Sequence, residues 1–160
     1  FEAGAPTTKV HHNWILFRYA EVLLNYAEAM VNAYNDITFT NEKCGISALQ
    51  AVNQVRGRDG IKMPALPETL SSADFLKRLK NERRVELAFE GHRFWDLRRW
   101  KELDVSKDIY GVKITKGEAG INYARQLLDT RPVDDKLYFY PIANTELFKN
   151  DKLEQNPGWK

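Results

Sequence analysis

Leu16, Ala20, Leu23, Ala27, Met30 and Tyr34 recur at alternating four- and three-residue intervals. On a helix that turns about 100° per residue they fall on one face, so the N-terminal third of the chain must place an amphipathic helix against something apolar. Arg18, Glu21, Asn25, Glu28 and Asn32 gather on the other side. Ala20 and Ala27 on the apolar stripe leave room for a second helix to approach closely. Val22, Leu24 and Tyr26 lie outside that stripe, which predicts burial against more than one neighbour. Cys44, Ala48, Ala51 and Val55 form a weaker second stripe, stopped by Gly57 and Gly60.

Pro64 and Pro67 break regularity before Ser71, and Asp74 three positions later resembles a capping box opening a third helix. Phe75, Leu76, Leu79, Leu87, Phe89, Phe94, Leu97 and Trp100 carry apolar content as far as Leu103. The third helix is therefore expected to run for roughly thirty residues unless Gly91 interrupts it. Beyond it, Ile109 to Thr115 alternates weakly like a strand, and Gly117 and Gly120 mark a loop. Leu137 to Tyr140 before Pro141 reads as a short extended segment, and the tail from Glu146 as irregular. The fold class is mainly α, with residues 1–160 expected to form a single domain. Two helices joined by a short loop also fit a tetratricopeptide-like repeat.

Charge excludes some functions and sharpens others. Lys and Arg number 24 against 22 Asp and Glu, a net +2 that implies no nucleic-acid or other polyanion partner. No run of 18 apolar residues exists to span a membrane. Cys44 is the single cysteine, so neither an internal disulfide nor a cysteine-rich zinc site can form, and it is expected to be a small buried thiol. His11, His12 and His92 are not spaced with acids as metal ligands, and no metal or cofactor is expected.

The charge is unevenly placed. Residues 77–102 hold nine Lys/Arg and five Asp/Glu, a local +4, whereas residues 1–50 hold three and five, a local −2. On a continuous third helix Arg83, Glu86, Glu90 and Arg93 would share a face with Leu76, Leu79 and Leu97. Paired carboxylates of this kind can serve acid–base or glycosidic chemistry. Nearby arginines would depress the carboxylate pKa, the wrong direction for a general acid, so a structural Arg–Glu network is the expected role and no catalytic residue is assigned.

Four blocks resemble the C-terminal part of the SusD/RagB family of outer-membrane nutrient-binding lipoproteins of Bacteroidetes. They are Arg18 to Ala29 (RYAEVLLNYAEA), Asn53 to Arg58 (NQVRGR), Glu82 to Arg93 running on to Asp96–Trp100, and Tyr140-Pro141-Ile142 with Gln155-Asn156-Pro157-Gly158. The third is the most specific, because such a mixed Arg/Glu run is uncommon. Ala143 and Trp159 depart from the family's usual proline and tyrosine.

The resemblance implies a helical domain with long antiparallel helices and a loop-rich tail containing short extended segments. It implies a non-catalytic protein that captures a glycan, or in some members a peptide, for a SusC-type TonB-dependent transporter. It also implies a lipid anchor on the outer membrane, carried by an N-terminal part that would precede Phe1 in a longer protein. No ligand-binding residue carries over. From chemistry alone, a sugar site needs exposed aromatic faces, and Trp95, Tyr110, Tyr123 and Trp159 are the candidates. The reading from another class is a helical-repeat module that binds peptide or protein segments.

Overall fold

A computed structural model describes residues 15–117 and 120–159. The chain divides into two compact units at Ala88 and Phe89. The first contains α1 (Tyr19–Tyr34), α2 (Ala48–Gly57) and α3 (Ser72–Glu86). The second contains α4 (His92–Arg99), a 3₁₀ turn at Leu103–Ser106, the strands β1 (Asp108–Gly117) and β2 (Gly120–Thr130), a second 3₁₀ turn at Asp135–Tyr138, and the one-turn α5 (Asn144–Leu147). The described fold is mainly helical, as the sequence predicts.

In the first unit α1 packs against both α2 and α3. Leu23, Ala27 and Met30 of the predicted stripe are buried, joined by Leu24 and Val31. Leu16 precedes the helix and is exposed, while Tyr34 stacks on Phe39 with ring centroids 3.9 Å apart. Of the three apolar residues outside the stripe, Leu24 is fully buried and Tyr26 half-buried, its hydroxyl donating to the Ile46 carbonyl. Val22 is exposed. Burial raises the Tyr26 pKa, and the neighbouring Cys44 thiol adds to the shift. Cys44 itself is half-buried rather than buried, because it lies in the turn before α2 instead of on the helix, with its N–H held by Asn41 Oδ1 at 2.8 Å.

α2 faces α1 through Ala48, Leu49, Ala51, Val52 and Val55, and the alanines on both helices permit close approach. Its start is a reciprocal cap. Gln50 N–H donates to Ser47 Oγ at 3.1 Å and Ser47 N–H donates to Gln50 Oε1 at 2.8 Å. The pattern Ser47-Ala48-Leu49-Gln50 is the signal for such a cap, and sequence reading passed over it. Ser47 is buried, so Ser47→Ala is expected to destabilise the first unit by about 1 kcal/mol. Urea denaturation of the variant measures this, and an unchanged midpoint would show the cap to be redundant.

Ser71 opens α3 as predicted, its Oγ accepting from Asp74 N–H at 3.1 Å. The helix then ends at Glu86 instead of continuing to Leu103. Leu87 to Gly91 form turns in which Phe89 has φ 65° and Gly91 φ 81°, and α4 begins at His92. Glycine adopts positive φ without a Cβ clash, which explains Gly91. Phe89 adopts the same region despite its side chain and is fully exposed. The expected thirty-residue helix is thus a 15-residue α3 and an 8-residue α4 in different units.

In the second unit β1 and β2 pair antiparallel from Asp108↔Thr130 to Gly117↔Gly120. The predicted strand at Ile109–Thr115 is present, and β2 is an addition to the sequence reading. One face of this hairpin carries Tyr110, Val112, Ile114, Tyr123 and Leu127, all exposed. Of the segment Leu137 to Tyr140 expected to be extended, Phe139 is, at φ −120° and ψ 144°, but Leu137 and Tyr138 are not. Asp134 Oδ1 accepts from Lys136 N–H at 3.1 Å and starts a 3₁₀ turn that includes Leu137 and Tyr138.

The irregular tail is tied down by side-chain amides. Ile142 N–H donates to Gln155 Oε1 at 2.7 Å, Gln155 Nε2 donates to Ile142 O at 2.9 Å, and Asn156 Nδ2 donates to Tyr140 O. Gly158, at φ 82°, brings its backbone so close to Lys136 that a Cβ there would lie 2.7 Å from the lysine Cβ. The two halves of the fourth sequence block therefore bind each other.

Candidate ligand-binding surface

The Arg/Glu run of α3 is tied to arginines from two other parts of the first unit. Arg18 Nη1 donates to Glu86 Oε1 at 2.6 Å, and Arg18 Nη2 donates to the Glu86 carbonyl. Arg58 Nη2 donates to Glu86 Oε2 at 2.7 Å. Arg56 bridges the Glu82 carboxylate and the Pro64 carbonyl, the latter from Nε at 2.9 Å. Arg83 is buried on the stripe of Phe75 and Leu79 and donates to Asn25 Oδ1.

The expected network is present. Glu86 is held by Arg18 and Arg58, which come from the first and second sequence blocks. Glu90 lies exposed in the turn between the helices. Burial pushes the Glu86 pKa up, and the hydrogen bonds and charges of Arg58 and Arg18 outweigh it, holding the carboxyl below its ordinary value. A group held ionised in this way is poorly suited to donate a proton at neutral pH.

Among the described residues no three His, Cys, Asp or Glu side chains converge as metal ligands. His92 opens α4, and His11 and His12 lie outside the described residues. No described helix is long and apolar enough to cross a membrane.

The four aromatic candidates have different surroundings. Trp159 Nε1 donates to the carbonyls of Lys136 and Phe139 at 3.0 and 3.1 Å, and Lys136 Nζ lies 5.1 Å from its ring. It is a half-buried pin for the tail. Tyr110 and Tyr123 lie on β1 and β2, and Arg125 covers the Tyr110 ring at 3.6 Å.

Trp95 belongs to a cluster of exposed rings. Facing out from α4, it is 58% exposed, with Phe94 at 41% and Tyr140 at 55%. Ring centroids are 5.1 Å apart for Phe94 and Trp95 and 5.9 Å for Tyr140 with either. The Arg98 guanidinium covers Phe94 at 3.5 Å and lies 5.8 Å from the Tyr140 centroid. The result is an exposed aromatic ledge with a cation beside it. Sequence reading names Trp95 among its candidates and misses its companions. Phe94 and Arg98 are four apart on one helix, a visible stacking signal, whereas nothing local brings Tyr140 to Trp95.

The SusD family profile matches residues 3–159, and the chain belongs to that family. It is 29% identical over 163 residues to the SusD-like protein P2 of Formosa agariphila, covering 98% of this chain and 28% of that protein. It is 31% identical over 151 residues to the SusD-like protein P38 of the same organism, covering 90% and 24%. The chain thus spans about a quarter of the length of these relatives. Among solved structures, a SusD-like protein from Bacteroides fragilis is similar with a TM-score of 0.73 and 32% identity, covering 92% of this chain and 26% of that one. A SusD homologue from Bacteroides thetaiotaomicron is similar with a TM-score of 0.64 and 27% identity, over 91% and 27%.

Proposed function

We propose that this chain is the C-terminal region, residues 1–160 as one domain, of a non-catalytic protein that binds glycan at the bacterial outer-membrane surface. In this reading it delivers the glycan to a SusC-type TonB-dependent transporter and is held to the membrane by a lipid anchor at the N-terminus of the whole protein. Family membership supports the transport role. The observation that carries the glycan reading is the exposed ledge of Phe94, Trp95 and Tyr140. Aromatic rings of this kind stack on the C–H faces of pyranose rings, and neighbouring polar groups hold the hydroxyls. The ion pairs of Glu86 give that carboxylate a structural role.

Affinity electrophoresis of the natural full-length protein, through gels carrying different soluble polysaccharides, tests this. Retardation by one polysaccharide class is expected, and Trp95→Ala is expected to weaken it about tenfold, the loss of one stacking contact. If Trp95→Ala and Tyr140→Ala both leave retardation unchanged, the ledge is not the sugar platform. Retention by a peptide panel in place of polysaccharides would shift the ligand class to peptide.

A further inference from the structure

The second unit also contains a cavity of about 380 Å³ beside α4 and the base of the hairpin. Its lining includes Arg93, Arg98, Lys107 and Arg131 and no carboxylate, with Leu103 and Val133 among its apolar walls. The backbone brings two of these cations together. Lys107 directly precedes β1, Arg131 directly follows β2, and Arg131 N–H donates to the Lys107 carbonyl at 2.8 Å. Both side chains are exposed, and neither is paired with a carboxylate among the described residues. Asp108, the adjacent acid, does not line the cavity and accepts from Thr130 Oγ1 at 3.0 Å.

Arg98 makes the arrangement more specific. Its Nη1 donates to the Phe94 carbonyl at 3.0 Å, but its Nε is buried with no hydrogen-bond partner among the described residues. A buried N–H without an acceptor costs stability. Phe94 and Arg98 line the cavity and also belong to the aromatic ledge, so the two features are continuous.

We propose that this cavity binds one acidic sugar unit, its carboxylate or sulfate taken by Arg98, Lys107 and Arg131. The volume suits a single ring rather than a chain, and guanidinium forks match planar pairs of anionic oxygens. Apolar walls suit the C–H faces of the same ring. Net charge conceals such a site because acids elsewhere offset its cations, so the whole-chain inference of no polyanion partner does not reach it. This proposal rests on the glycan-binding reading and narrows it to glycans with acidic units.

The test uses the natural full-length protein in gels containing polygalacturonate, dextran sulfate, neutral dextran or a panel of other neutral polysaccharides. At low salt, retardation by polygalacturonate or dextran sulfate is expected to exceed that by the neutral polymers, and which of the two acts identifies the anionic group. The double variant K107Q/R131Q is expected to weaken that retardation about tenfold. K77Q/K149Q, which removes two exposed cations elsewhere, is expected to leave it unchanged. Since all four side chains are exposed, thermal unfolding should be the same in both variants. Retardation by neutral polymers alone, or acidic retardation equal in K107Q/R131Q and the parent, overturns the cavity proposal while the glycan reading stands. Failure of every polymer, neutral and acidic, overturns both.

Discussion

Phe75→Ala is expected to lower the stability of the first unit by about 3–5 kcal/mol. Phe75 is 0% exposed and is the largest fully buried side chain of the protein's described core. It belongs to the same apolar cluster as Leu24, Val31, Val52 and Leu79, residues that come from all three helices of the unit. Truncation removes the transfer free energy of the ring and leaves a void that three packed helices can only partly close. Small domains have about 5–15 kcal/mol of stability in total, so the variant should melt about 15 °C lower or fail to accumulate folded. Leu76, one position on and half-buried, is the control, since Leu76→Ala removes less buried surface. A Phe75→Ala variant within about 1 kcal/mol of the parent would mean that the helices do not pack around this ring.

The second large effect is at Glu86. Its side chain is 9% exposed and pairs with Arg18 at 2.6 Å and Arg58 at 2.7 Å. Glu86→Gln keeps the shape, removes the negative charge and leaves two guanidinium groups facing each other. A loss of about 2 kcal/mol at neutral pH is expected, below the range for fully buried pairs because both arginines remain partly solvated. The carboxyl's pKa is lowered in the folded state from its ordinary 4.5. The unfolded chain therefore binds the proton more readily, and the pairing contributes stability above the unfolded value and loses it as pH falls through the folded one. Parent and variant should differ most at pH 7 and converge as the pH drops below about 4.5. Urea denaturation of both from pH 7 to pH 3 measures this, and a difference that is absent at pH 7, or undiminished in acid, would exclude the ion pairs as its source.

Local signals made α1 legible, because its stripe and its Ala27 contact depend on spacing alone. They also revealed the Ser71 cap and the β1 strand. The break after α3 was half legible: Gly91 announces it, but the left-handed Phe89 that accompanies it does not, since a phenylalanine carries no such preference. β2 was missed although Ile121, Tyr123 and Leu127 keep the period of two, because Arg125 interrupts their apolar alternation. What no local pattern can convey is pairing across distance. The Arg/Glu run announces a network, yet its partners Arg18 and Arg58 lie in other blocks. Likewise the sequence names Trp95 as a candidate, yet the ledge exists because the tail brings Tyr140 to it. The cationic cavity needs the hairpin closed before Lys107 and Arg131 meet.

The ion pairs of the first unit also bear on the order of events as the chain folds. Arg18 and Glu86 are 68 positions apart, Arg58 and Glu86 28, and Arg56 and Glu82 26. Contacts closed over such loops form after local helices and the first apolar collapse, because the entropy of closing the loop must be met before the charges can pair. The charges are thus expected to act as a late latch. Weakening them at Glu86 should leave the refolding rate nearly as it was and raise the unfolding rate instead, so the arginine and glutamate blocks govern how long the folded unit persists more than how fast it arises.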